Sequence, residues 1–144
     1  MSNSTFNGAI YKLVCWDPKV NCCYIGSTKD IRRRMREHKM CVTNEIRKEY
    51  NYPVYETIRQ NGGWDNWRYI ILANVQVKSY HELRNFEKLY IKNTENTLNK
   101  LIPNRKRKEH YEDEKSRICA YKRAYHQKNR IEICRKRREE YHKN

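Results

Sequence analysis

Tyr11 and Tyr24 each sit in a short apolar run, and Arg34 and His38 follow four residues apart. Four residues is about one helical turn, so Arg34 and His38 share a helix face. Two phenols, a guanidinium and an imidazole in one cleft suit phosphodiester chemistry. A base must take a proton from water, and a fixed cation must offset charge on the phosphate. Glu87 lies between Phe86 and Tyr90, at the margin of an apolar helix face, and is a candidate cation ligand. Plainer roles exist for each residue taken singly. The chain has 12 tyrosines, and tyrosine is common in half-buried strands. An exposed glutamate beside Arg84 or Lys88 would normally pair with one of them. An unperturbed tyrosine, with a pKa of about 10, is also a poor base at neutral pH.

The elements that must position these residues are legible from pattern. Residues 10–14 and 22–25 are apolar and aromatic and read as two short strands. Residues 16–21, between them, form a turn-rich linker of hairpin length. Gly26 is expected to let the chain turn sharply, and Ser27 or Thr28 to cap the helix carrying Arg34 and His38. Pro53 fits the first turn of a short helix over residues 53–60, which Asn61, Gly62 and Gly63 end. Residues 67–75 are the strongest strand signal and are expected to form a central, largely buried strand. Ser79 and Glu82 have the form of a capping box. The helix it opens carries Leu83, Phe86, Tyr90 and Ile91 as a core face, with Glu87 at its margin. The order β-β-α-α-β-α predicts an α+β domain with a small antiparallel three-stranded sheet flanked by helices. A basic helical C-terminal tail follows.

Charge points to the partner. The formal net charge is +15 and the pI about 9.7, which implies a polyanion, with nucleic acid as first choice. An anionic membrane is the weaker choice, because no stretch approaches the roughly 18 apolar residues of a spanning helix. The first seven residues have neither the basic nor the apolar region of a secretory signal. The six cysteines, Cys15, Cys22, Cys23, Cys41, Cys119 and Cys134, are therefore expected as free thiols in an intracellular setting. Cys119 with His126 and Cys134 with His142 lack a Cys-x-x-Cys pair and match no standard zinc-finger spacing.

The chain divides near Pro103, into a domain over residues 1–102 and a tail over 103–144. The domain carries 17 Lys+Arg and 10 Asp+Glu; the much shorter tail carries 15 and 7. The tail also repeats itself: residues 118–129 are echoed by residues 133–144 at an offset of 15, with a one-residue slip around Tyr125 and Tyr141. A long basic helix, ordered in part only on binding, is expected. Its nucleic-acid-binding residues would be Arg105, Lys106, Arg107, Lys108, Lys122, Arg123, Arg135, Lys136, Arg137 and Arg138. The interleaved tyrosines would stack on bases or lie along a groove. A solvated, frayed tail is the alternative.

The order of these pieces over about residues 8–100 resembles the GIY-YIG nuclease family. The matching residues are Ala9-Ile10-Tyr11, Tyr24-Ile25-Gly26, Arg34, His38, Glu87 and Asn99, with residues 61–67 similar to the loop before the third strand in viral and phage members. Ala9 stands where the first motif usually has glycine. The resemblance implies a metal-dependent DNA endonuclease of homing or mobile-element type, similar to members from large DNA viruses. It implies a divalent ion on Glu87, with Mg²⁺ favoured and Mn²⁺ as the alternative, and no small-molecule cofactor. By the same resemblance Tyr11 is the general base, Arg34 the phosphate clamp, Tyr24 an orienting group and Asn99 a brace. A non-catalytic binding protein with the same fold, and a structure-selective repair nuclease, are the competing readings. The corresponding location is the nucleus or a viral replication site, or otherwise the cytoplasm.

Overall fold

The computed structural model describes residues 4–142. One compact unit runs to Asn104, and a second begins at Arg105. In the first, β1 (Phe6–Cys15), β2 (Cys23–Thr28) and β3 (Trp67–Val77) form one antiparallel sheet in the order β2-β1-β3. The helices are α1 (Ile31–Thr43), α2 (Pro53–Gln60) and α3 (Tyr80–Lys92), with a single 3₁₀ turn at Trp64–Asn66. The second unit holds α4 (Arg107–Lys128) and α5 (Arg130–Tyr141). This is the expected α+β fold with a helical tail.

Successive side chains of a strand point to opposite faces, and β1 uses both. Tyr11, Leu13 and Cys15 pack with Cys41 and Val42 of α1 and Val54, Tyr55 and Ile58 of α2. Ile10 on the other face packs with Ile25, Val77 and, from α3, Leu83 and Ile91. The central strand is thus β1. The expectation for residues 67–75 is corrected here, because β3 pairs with β1 alone and lies at the sheet edge. Tyr69, Ile70 and Ile71 are 46%, 39% and 36% exposed. A continuous apolar run reports strand propensity, but strand order depends on which neighbours dock. The hairpin puts β2 on one side of β1, and the opposite edge of β2 is taken by the segment after α3. There Cys23 N–H donates to Asn96 O (3.1 Å) and Leu98 N–H to Cys23 O (2.7 Å). A bulge interrupts the β1–β3 register between Ile10 and Tyr11, where it re-aims the Tyr11 side chain relative to a regular ladder.

Local signals account for the helix ends, with two differences. The N-cap of α1 is Asp30, whose carboxylate accepts from Arg33 N–H at 3.0 Å. Ser27 and Thr28 instead finish β2, and Thr28 Oγ1 accepts from Asp30 N–H (3.1 Å). Ser79 caps α3 as expected, accepting from Glu82 N–H (3.2 Å). The returning bond from Glu82, however, reaches Lys78 N–H (2.8 Å) and not the cap residue itself. Pro53 opens α2, and Gly62 and Gly63 leave it at φ of 91° and 77°, a region that favours glycine.

Neither α4 nor α5 contains a buried residue. The single long helix expected from the sequence is interrupted at Asn129. Its backbone and side-chain N–H groups both donate to Tyr125 O, at 3.0 and 2.9 Å, and so close α4. Asparagine competes with the helix ladder through such local bonds. Several of the cations are paired within this unit: Arg105 with Asp113 (2.8 Å), Arg135 with Glu132 (2.9 Å) and Glu139 (3.1 Å), and Lys136 with Glu132 (3.6 Å). Among the described residues no helix is long and apolar enough to cross a membrane, and all six cysteines are free.

Candidate active site

Five segments converge on one place. β1 supplies Tyr11, β2 supplies Tyr24 and Ser27, α1 supplies Arg34 and His38, α2 supplies Tyr55, and α3 supplies Glu87. The Tyr11 hydroxyl lies 2.7 Å from His38 Nε2, and Arg34 Nε–H donates to it at 3.1 Å. His38 Nδ1 lies 3.0 Å from the Tyr55 hydroxyl. The imidazole ring stacks on Trp64 and meets the edge of Tyr24, with centroids at 6.2 and 5.6 Å. Arg34 also reaches Glu37, its Nη1 donating at 3.1 Å. The Ser27 hydroxyl donates to Glu87 Oε2 at 2.5 Å.

Gly26 stands opposite Tyr11 in the β1–β2 register. A Cβ there would fall inside the phenol, 2.5 Å from Tyr11 Cζ. The turn expected of Gly26 is therefore corrected: it lies within β2, and what matters is the space it leaves for the Tyr11 ring. Asn99 makes two bonds to one residue, accepting from Ile25 N–H (2.9 Å) and donating to Ile25 O (2.7 Å). Its side chain thereby extends the pairing of the 96–98 segment along β2 and braces the strand that carries Tyr24 and Ser27. Ala9 lies in β1 opposite Thr28 and Asn74.

A cavity of about 740 Å³ opens among Tyr24, Arg34, Tyr55, Glu87 and Asn99. Tyr11 and His38 lie behind this wall with no exposed surface. Burial, and then the charge of Arg34, push the His38 imidazole down to about 3. It is neutral at physiological pH. Burial raises the phenols of Tyr11, Tyr24 and Tyr55, so all three are protonated. Burial works against the Arg34 charge, but Tyr11, Tyr24 and Glu37 together more than offset it and raise the group. Burial also raises Glu87, against the Ser27 hydrogen bond and the charge of Arg34. The result is a fixed cation and a carboxylate facing one cavity, backed by a neutral Tyr–His–Tyr array.

All six residues named from the sequence in the first unit meet here: Tyr11, Tyr24, Arg34, His38 and Glu87 around the cavity or behind it, and Asn99 on its wall. The basic residues named in the tail belong to the second unit. Sequence reasoning misses two contributors. It offers Ser27 as a helix cap, although a position two residues after Ile25 keeps Ser27 in the strand alternation. It covers Tyr55 only as part of the short helix over residues 53–60; a buried tyrosine hydroxyl normally finds a polar partner, and that is the available signal.

An α+β domain that sets a guanidinium and a carboxylate in one cavity, before buried phenols and an imidazole, has the equipment of a phosphodiesterase. The GIY-YIG catalytic domain family matches residues 7–101, well over half of the chain and the whole of this site. The chain belongs to that family: its first unit is a nuclease domain, and its substrate is DNA. Neither a curated protein nor a solved structure gave a match.

Proposed function

We propose that this protein is a metal-dependent DNA endonuclease, of homing or mobile-element type, whose basic second unit holds the duplex. The observation that carries the reading is the shared cavity of Arg34 and Glu87. An arginine there can clamp the attacked phosphate by two parallel hydrogen bonds and offset its developing charge. Ser27 engages one oxygen of Glu87 and so fixes the orientation of the carboxylate. One carboxylate, completed by water and phosphate oxygens, is a donor set that suits Mg²⁺. Such an ion, when bound, would offset charge on the leaving oxygen.

Tyr11 acts as base by taking a proton from the attacking water while its own proton passes to His38 Nε2, 2.7 Å away. Arg34 leaves the phenol as it engages phosphate, and this opens Tyr11 to water. Tyr24, on the cavity wall, orients that water, and Asn99 keeps β2 in register with it. The full burial of Tyr11 favours a second distribution of roles, with Tyr24 meeting the water and Tyr11 holding Arg34. Under the first, Tyr11→Phe is the more damaging of the two phenylalanine variants; under the second, Tyr24→Phe is.

Plasmid cleavage in Mg²⁺, comparing wild type with Glu87→Ala and sequencing the ends, tests the proposal. Glu87→Ala should abolish cleavage and leave DNA binding within a small factor, because it removes the metal ligand and no part of the basic surface. Cleavage by the variant near the wild-type rate would end the metal-on-Glu87 hypothesis.

A further inference from the structure

We propose that Tyr55 is a positioning residue for this nuclease: it holds His38 as the Nδ1–H tautomer and so gives the chain Arg34–Tyr11–His38–Tyr55 a single direction. The inference rests on the nuclease reading for its role, but its geometry stands on hydrogen-bond accounting alone. Tyr11 is wholly buried, and its phenol is held protonated by burial. A buried O–H requires an acceptor. Its two hydrogen-bond neighbours are Arg34 Nε and His38 Nε2. Arginine has no acceptor, so the Tyr11 proton points to His38 Nε2.

A neutral imidazole carries one N–H. If Nε2 accepts, Nδ1 is the donor, and the Tyr55 oxygen at 3.0 Å receives it. Tyr55 is itself only 5% exposed and comes from α2, an element outside the strands and helices that carry the other site residues. Burial and the neighbouring Cys41 keep its phenol protonated. Trp64 stacked on the imidazole limits rotation of the ring about this axis. The consequence is that both lone pairs of the Tyr11 oxygen stay turned away from His38 and toward Arg34 and the cavity side. When Tyr11 accepts the proton of water, its own proton moves to Nε2. The resulting imidazolium donates both N–H groups, to Tyr11 and Tyr55, while the hydroxide forms the new bond to phosphorus. The bond to the leaving oxygen breaks with its electron pair on that oxygen, which takes a proton from solvent, and His38 later returns its proton to solvent.

Removing the Tyr55 hydroxyl leaves Nδ1–H without an acceptor. The imidazole would then shift to the Nε2–H form, which points a second donor at Tyr11 and strips the phenol proton of its partner. The experiment uses the full chain labelled with ¹⁵N-histidine, with the His38 resonances identified by their disappearance in His38→Gln. The wild type should show a protonated Nδ1 and a bare Nε2. Tyr55→Phe should move the population toward Nε2–H and slow single-turnover cleavage about tenfold to a hundredfold, the scale of losing a partner that orients a histidine. Duplex binding should change less than about twofold, since the Tyr55 hydroxyl faces His38 and neutralises no phosphate. An Nε2–H tautomer in the wild type overturns the proposal, as does a Tyr55→Phe protein with unaltered tautomer and rate. If the variant does not fold, the wild-type spectrum decides the tautomer. A wild type that does not cleave would defeat the nuclease reading, and the spectra would still judge the tautomer.

Discussion

The two units of this chain carry similar net charge but differ in one physical respect: the first has an interior and the second has none. In the first, burial drives His38 to about 3, raises three phenols, and holds Arg34 on a tyrosine oxygen. In the second, every helical residue is at least partly exposed, and Arg135 pairs with Glu132 and Glu139 in water. Exposed pairs contribute little, because water and salt screen them. Chemistry therefore belongs to the unit that can exclude water; under the proposed function, grip belongs to the unit that cannot. A charge in the first unit is worth what its surroundings make of it. In the second, charges act mainly by number.

The largest expected effect of breaking this contrast is at Arg34. Arg34→Ala should slow single-turnover cleavage roughly a hundredfold or more, the scale of losing one preorganised charge-stabilising group. Arg34→Lys should rescue poorly, because a point charge replaces a planar fork. A loss of tenfold or less would assign Arg34 to structure and promote Arg33 or Arg36 as the clamp. Next comes Gly26→Ala, whose methyl would occupy the Tyr11 ring. Overpacking of this kind costs about 1–3 kcal/mol, and each kcal/mol lowers Tm by roughly 4–8 °C for a domain of this size. An unchanged Tm would show that the sheet can open there freely.

The buried imidazole makes a pH prediction of known sign. The His38 pKa is lowered from 6.5 to about 3 on folding, so below pH 6.5 the unfolded chain binds a proton that the folded chain refuses. Folding stability should therefore fall as pH drops from 6.5 toward 3, by up to about 1.4 kcal/mol per pH unit from this group. Denaturant titrations of wild type and His38→Gln at pH 7 and 5 isolate it from most carboxylate titration. Parallel losses in the two proteins would contradict the assignment.

Truncation after Asn104 should disturb the first unit least. Asn104 bonds within that unit, to His81 O and Asn85 Oδ1 at 2.9 Å, so the cut leaves these two bonds in place. The fold and its Tm should be retained, because the removed helices bury no residue. DNA affinity should fall, and the slope of log affinity against log salt should become shallower by about 0.9 for each duplex phosphate that the tail had neutralised. Cleavage should persist at high protein concentration. An unchanged salt slope would reduce the tail to a solvated appendage, and loss of the fold would show that it stabilises the domain.

What the sequence by itself determined is what short-range geometry can encode. The four-residue spacing of Arg34 and His38 put them on one helix face. Pro53, Asn61 and Ser79 marked helix ends, and the apolar run at residues 10–14 marked a strand. The motif residues Tyr11, Tyr24, Glu87 and Asn99 were legible as a set through their order along the chain. Tertiary structure alone decided the rest. An apolar run at 67–75 reads the same at the edge of a sheet as at its centre, because strand order depends on partners far away in sequence. Gly26 leaves room for a ring carried by a different strand. Ser27 meets Glu87 across 60 residues, and Tyr55 meets His38 across 17. The hydroxyl beside His38 Nδ1 comes from a different helix, and only packing brings the two within hydrogen-bond distance.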